Sequence, residues 1–182
     1  YAKPDLEKAR QLLKESGYDG TPVVMMQQTD LQSSNQVQAV AKPQLEKAGF
    51  KVDLQPMDWQ TVVSRRARKE APAQGGWNIF FTTNITLDLD NPATNAFASG
   101  GCEKAWFGWP CDAELEKLRA AFIKETDPAK LKEIGYAISD RVMGEAIYAP
   151  VGQYKAFGAY RKDRLSGWLE GPVPVVWNIS KK

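Results

Sequence analysis

Histidine is missing from all 182 residues. Its absence rules out a Ser-His-acid triad and a Cys-His pair, the two commonest ways of activating a side-chain nucleophile. Only two cysteines occur, so a thiolate zinc site would have to borrow two carboxylate ligands. Charge of either sign is not in excess. With 24 Lys and Arg against 22 Asp and Glu, the net charge of +2 sets up no field that would gather nucleic acid. No apolar run approaches the roughly 20 residues a bilayer-spanning helix needs. No charged-then-apolar signal pattern opens the chain, and Tyr1-Ala2-Lys3-Pro4-Asp5 reads as the middle of a longer protein. Gly75-Gly76 and Gly100-Gly101 lack the spacing and the lysine of a phosphate-binding loop.

What is present is ordinary for a folded domain: 43% hydrophobic, 25% charged and 10% aromatic residues. A chain of this length buries roughly 70% of its unfolded surface around one core. Apolar spacing at Leu6, Ala9, Leu12 and Leu13 predicts a helix over 5–16, ended by Gly17, with Pro4 at its start. Pro22 to Met26 predicts a buried strand, followed by a polar loop over 27–35. Val37, Val40, Ala41, Leu45 and Ala48 predict a second helix from Gln36, with Pro43 imposing a kink or a late start. A strand over 51–55 follows, then a helix capped by Asp58 with Trp59, Val62, Val63 and Ala67 inward, and a fully buried strand around Ile79-Phe80-Phe81. The cluster Arg65, Arg66, Arg68 and Lys69 reads as a solvated helix face. A loop over 87–101 includes a short helix after Pro92. Two amphipathic helices are predicted over 112–124 and 129–143, then a strand-like stretch over 147–160 and an irregular tail with Pro172 and Pro174.

This alternation is that of an open α/β sheet. Ligands gather at the carboxyl ends of such strands near a topological switch. The rule selects Gln28 and Thr29, Trp59 beside Asp58, and Thr83, Asn84, Asp88 and Asp90 as candidate ligand contacts. Cys102 and Cys111 stand nine positions apart in a Gly- and Trp-rich loop. A disulfide between them is expected, with two buried thiols as the alternative, and it implies an oxidising compartment. Trp109, like Trp106, either stacks on a ligand or packs over the sheet edge.

The opening Tyr1 to Tyr18, with its Pro-Asp cap, Lys8-Ala9, Leu12-Leu13 and closing Gly17-Tyr18, resembles the start of the second ligand-binding lobe in family 5 solute-binding proteins. Gln44 to Val52, Asp58-Trp59-Gln60-Thr61 with Arg65-Arg66, Asp112 to Leu118, Asp127 to Tyr136 and Ala146 to Val151 are similar to later segments of that family, in the same order. The resemblance implies a periplasmic-binding-protein-like type II lobe, a mixed sheet flanked by helices. It also implies a receptor of a dipeptide or oligopeptide ABC importer, periplasmic or otherwise extracytoplasmic, with any signal or lipid anchor upstream. On this reading residues 1–182 form a single lobe whose tail over 161–182 packs on a missing lobe. The partners are a peptide or other small solute and a membrane permease; no cofactor, no metal, no nucleic acid and a monomeric state are expected.

The family's peptide-binding members place an aspartate for the α-ammonium in a Trp-x-Gly-Asp pattern with Pro four residues on. Asp88 and Pro92 match it, while Ile85 and Leu87 replace the Trp and Gly. The arginine that dipeptide-binding relatives use for the ligand carboxylate has no counterpart, since residues 21–50 contain no arginine. A partner-docking or structural domain without a small ligand is the alternative, followed by a hydrolase using Asp88 and Asp90 as a carboxylate pair.

Overall fold

A computed structural model describes residues 5–171, 173 and 175–182; Pro4, Pro172 and Pro174 lie outside the described residues. The chain divides into two compact units, Tyr1–Thr83 and Asn84–Lys182.

The first unit is an α/β layer built on a three-stranded parallel sheet in the order β2-β1-β3. Helix α1 (Leu6–Glu15) starts where the Asp5 carboxylate accepts the Lys8 N–H at 2.8 Å, and it ends at Gly17, which has a φ of 74°. Strand β1 (Val23–Gln28) is central, and Val24, Met25 and Met26 are all buried. Successive strand residues point to opposite faces, so burial of three in a row means that both faces are covered. Strand β2 (Val52–Met57) pairs along the whole of β1, from Val23 with Val52 to Gln28 with Met57.

Between them runs helix α2 (Gln32–Ala48), four residues longer at its start than the sequence predicts. It passes through Pro43 without interruption. Pro43 and Ala39, whose carbonyl the ring deprives of a donor, are both exposed, so water can serve that oxygen. Its inward stripe is also shifted: Ser34, Gln38 and Ala48 are buried, whereas Val40 is 63% exposed. The helix ends in a Schellman turn, with Gly49 N–H on the Glu46 carbonyl and Phe50 N–H on that of Leu45. Gly49 has a φ of 111°, which a side chain would strain.

Helix α3 (Trp59–Arg65) is shorter than predicted. Val62 is buried in it, but Ala67 lies past its end and is exposed. The basic cluster is not uniformly a solvated helix face: Arg68 and Lys69 are exposed past the end of α3, whereas Arg65 and Arg66 are half-buried. Arg65 donates to the carbonyls of Gly75 at 2.9 Å and Gly76 at 2.7 Å and to Gln55 Oε1 at 2.5 Å, so it fastens the turn before the third strand. Gly76 accepts no side chain there, because a Cβ would meet the Glu70 carbonyl oxygen at 1.8 Å. Strand β3 (Ile79–Phe80) pairs only Met25 with Ile79 and Met26 with Phe80, and as an edge strand it is half-buried instead of fully buried.

The second unit holds a one-turn helix α4 (Thr86–Leu89), a 3-10 turn over Ala96–Ala98, and the helices α5 (Ala113–Lys124) and α6 (Pro128–Gly144). Ala98, Leu115, Ile138 and Val142 form its core, with Leu118, Phe122, Ile134, Ile147 and Tyr148 packed around them. Asp127 caps α6 through the N–H groups of Ala129 and Lys130, with Pro128 in the first turn. Asp112 caps α5 through Glu114 and Leu115 and also accepts the Arg141 guanidinium from α6 at 2.7 Å. Its side chain is 9% exposed, and the Arg141 hydrogen bond followed by the Leu115 N–H holds its carboxyl below the ordinary aspartate range.

The stretch over 147–160 is not a strand. Its residues from 149 to 160 carry no regular structure, and Val151, Tyr154 and Phe157 are exposed. Alternating apolar residues need a neighbouring strand to become a ladder, and none is offered to them among the described residues. The tail closes with a small antiparallel pair, β4 (Leu165–Ser166) and β5 (Ser180–Lys181).

Two outcomes follow for stability. Leu115, with no exposed surface, should cost about 2–5 kcal/mol on substitution by alanine, read from denaturant melts. Asp112→Asn keeps the cap but removes the charge opposite Arg141. The wild-type carboxylate is held below the usual aspartate value of about 3.9, so its contribution is complete above that pH and fades as the pH falls through the folded value. The melting-temperature gap between wild type and Asp112→Asn should therefore be open at pH 7 and narrow as the pH falls below about 4; a pH-independent gap would remove the ion pair from the account.

Candidate functional site

In the first unit the strand order changes direction at β1: the chain moves to one side for β2 and returns past β1 for β3. The carboxyl ends of β1 and β3 are therefore the switch point at which open α/β sheets bind ligands.

Gln28 stands at that end but does not face solvent. It has no exposed surface, its Nε2 donates to the Phe81 carbonyl, and its Oε1 accepts Gln38 Nε2 at 2.6 Å. Gln38 is equally buried; it also donates to the Met26 carbonyl at 2.8 Å and accepts the Gln28 backbone N–H at 3.2 Å. Thr29 is exposed, and its N–H and hydroxyl both donate to the Met57 carbonyl, at 2.9 and 3.2 Å. Trp59 is half-buried; its N–H donates to Asp30 Oδ1 at 2.9 Å, and the Arg66 guanidinium lies 5.6 Å from its ring centre. Asp58 beside it caps α3, and the Thr61 N–H, then the Thr61 hydroxyl, hold its carboxyl below the ordinary range. Thr83 is exposed at the end of the segment leaving β3. Thr29, Trp59 and Thr83 thus lie at the carboxyl end of the sheet, with Gln28 beneath them as a brace.

The opposite end carries an open concavity of about 720 Å³, lined by residues such as Leu13, Tyr18, Pro22, Phe50 and Asn78. Its polar groups are committed internally. The Tyr18 hydroxyl donates to the Thr21 carbonyl and accepts the Lys51 N–H, Asp19 accepts the Thr21 N–H, and Asn78 Oδ1 accepts that of Val24. The carboxyl end remains the better candidate, because convergent polar groups and not hollow volume fix a ligand.

In the second unit Asn84 and Asp90 are exposed, Asn84 accepting the Ile85 N–H at 3.0 Å. Asp88 is exposed within α4. The helix is fastened at both ends: Gln153 Nε2 donates to Thr86 Oγ1 at 3.1 Å, and buried Asn95 donates to the Leu89 carbonyl at 3.3 Å. The turns after Pro92 are capped by Asn91, through Ala93, and by Asn95, through Phe97. Neither Asp88 nor Asp90 serves there, and their side chains make no hydrogen bond or ion pair with described residues. Positions two apart on a helical turn do not face one another, so these carboxylates do not converge as a catalytic pair.

Cys102 and Cys111 form the expected disulfide. Around it Cys102 N–H reaches the Pro110 carbonyl at 3.0 Å, and Asp112 N–H reaches that of Gly100 at 2.9 Å, closing the loop directly onto the cap of α5. Trp106 packs edge-on against Phe97 at 4.4 Å, so it belongs to the aromatic cluster with Tyr148. Trp109 is half-buried in a left-handed conformation with φ 48°.

Sequence reasoning missed three supports. Arg119 grips the carbonyls of Pro92 and Ala93, and Glu116, bonded to Arg119 at 2.8 Å, accepts the Gly100 N–H at 2.8 Å. Burial pushes the Glu116 carboxyl up, but the Gly100 N–H and Arg119 outweigh it, so it lies below the ordinary range. Gln38 is the third. An i, i+3 charge pair beside the apolar positions of α5, and a glutamine on the Ser34-Ala41-Leu45-Ala48 stripe of α2, were the available signals.

Residues 1–105 match the family described as bacterial extracellular solute-binding proteins, family 5 middle. The chain belongs to this family. Over 177 residues it is 33% identical to the "Probable peptide ABC transporter periplasmic-binding protein y4tO" of Sinorhizobium fredii, covering 97% of the chain and 33% of that protein. The chain therefore spans about a third of the length of the curated relatives it matches. Its fold is similar to the crystal structure of the ABC transporter substrate-binding protein CtaP from Listeria monocytogenes, with TM-score 0.67, 20% identity, and 80% of this chain and 29% of that one covered. It is also similar to the oligopeptide-binding protein AppA from Bacillus subtilis in complex with a nonapeptide, with TM-score 0.58, 17% identity, and 81% and 33% covered. The fold of this family 5 chain is accordingly an α/β lobe of the periplasmic-binding-protein type. No helix among the described residues is long and apolar enough to cross a membrane.

Replacing both cysteines by serine should lower stability by about 2–3 kcal/mol, the chain-entropy value for so short a loop. Melts with and without dithiothreitol check it: the reductant should lower the wild-type melting temperature and leave the double variant unmoved.

Proposed function

We propose that this chain is one ligand-binding lobe of the substrate-binding component of an ABC importer, which captures a peptide or similar small solute by hinge closure. The observation that carries the reading is the family match over residues 1–105 on this α/β fold. The nearby proteins named for peptide transport or solved with a peptide support the same solute class. The full-length protein works outside the cytoplasm as a monomer, passes its solute to a membrane permease, and uses no cofactor, metal or nucleic acid. We read it as a receptor and not an enzyme, as its family is one of solute-binding proteins; within this chain Asp88 and Asp90 form no convergent carboxylate pair.

Asp88 is the group for the ammonium of the solute. An ionised carboxylate pairs with a cation more strongly than a neutral acceptor does, and this one is exposed, uncommitted and held on a helix fastened at both ends. Thr29, Trp59 and Thr83, and separately Asn84, Asp90 and Trp109, supply further polar and aromatic contacts, with Gln28 bracing from beneath. The lack of arginine over 21–50 argues for peptides held along their backbone above a dipeptide clasped at its carboxylate. Exposed Val151, Phe157, Val176 and Trp177 need a cover, and the missing lobe, packed on the tail over 161–182, is the assigned one.

Calorimetric titration of the full-length protein with a tripeptide panel tests this reading. Asp88→Ala should weaken free-amine peptides roughly ten-fold or more, the value of a charge-assisted hydrogen bond, and leave N-acetylated peptides at their already weaker affinity. Unchanged affinity for the free amine would remove Asp88 from the site. No thermal shift with any solute would favour a docking domain, and hydrolysed peptide in the mixture would revive an enzyme.

A further inference from the structure

The ladder between β1 and β3 stops after Met26 and Phe80, although β1 continues for two more residues and keeps its pairing with β2. Phe81 thus leaves the sheet with a carbonyl that no backbone donor of β1 takes up. The Gln28 carboxamide reaches across and donates to it. That carboxamide is itself aimed by Gln38, which holds Gln28 Oε1, the Gln28 N–H and the Met26 carbonyl together. Three backbone groups at the divergence of the two strands are therefore served by two side chains without exposed surface. An apolar pair would fill the same space but leave the Gln28 N–H and the Met26 and Phe81 carbonyls without these partners, so the amides hold the diverging segment by bonds that packing alone does not supply.

We propose that Gln38, acting through Gln28, is a positioning residue that fixes Phe81 and hence the path of Thr82 and Thr83 at the ligand-binding end of the sheet. The proposal rests on the solute-capture reading for its functional consequence and on the amide network alone for its structural one. Gln38 touches no solute. It sets where the post-β3 segment lies before a ligand arrives, and a preordered segment loses less freedom on binding.

The full-length protein carrying Gln28→Met, and separately Gln28→Leu with Gln38→Leu, tests it. Gln28→Met keeps the volume and removes the tether together with the acceptor for Gln38 Nε2, which retains its bond to the Met26 carbonyl; the double variant removes both amides, so no side-chain amide is stranded if the single change folds poorly. Backbone 15N relaxation without ligand should show the order parameters of Thr82 and Thr83 falling from the rigid range of about 0.85 to below about 0.6, while Val24 to Met26 stay rigid. The dissociation constant for whichever tripeptide of the panel shifts wild type most should rise about five- to ten-fold. Unchanged order parameters at Thr82 and Thr83 in folded variants overturn the tether. Lowered order parameters with unchanged affinity overturn the positioning role. Failure of wild type to bind any peptide overturns the solute reading and leaves the relaxation result to decide the tether.

Discussion

Strand β1 has to satisfy two neighbours of unequal length. It is paired with β2 along its whole course and with β3 over two residues only. Along a strand buried on both faces, as β1 is, backbone groups left where one ladder gives out need partners within the protein. The buried amides of Gln28 and Gln38 resolve this by carrying the bonding off the end of the ladder to Phe81. The switch point exists because β2 and β3 lie on opposite sides of β1, and the early end of the β3 ladder shapes it.

The second unit solves a similar problem with charge in place of amides. Its long loop is pinned to α5 at Pro92 and Ala93 by Arg119 and at Gly100 by Glu116. The disulfide loop closes onto Asp112, which ties α5 to Arg141 of α6. The exposed carboxylates of Asp88 and Asp90 take no part in these ties, and neither do those of Glu133, Asp140 and Glu170. What sets Asp88 apart from them is its place on a short helix fastened at both ends.

The helical hairpin of α5 and α6, the capped α1 and the disulfide were legible in the sequence, because caps, periodicity and cysteine spacing act over a few residues. The inner face of α2 was not. Val37 and Val40 suggested one stripe, yet the sheet above it required donors and acceptors at Met26 and Gln28, and Gln38 with Ser34 came inward while Val40 went out. The strand-like run over 147–160 failed for a related reason: extended apolar sequence becomes a strand only beside a partner. Arg65 looked like surface charge because nothing local announces that the Gly75 and Gly76 carbonyls will need a donor. Thr29, Trp59 and Thr83 could be placed from topology alone, whereas the commitment of Gln28 to Phe81 needed three-dimensional contacts.

Family membership and the switch-point geometry are the grounds on which we propose capture of a small solute by a receptor of which this chain forms one lobe. Mass spectrometry of the material released on denaturing full-length protein purified without refolding addresses that claim most directly. A near-stoichiometric, ammonium-bearing small solute of peptide type is the expected result. Natively folded protein that releases no small solute, even after equilibration with a peptide extract, would contradict it.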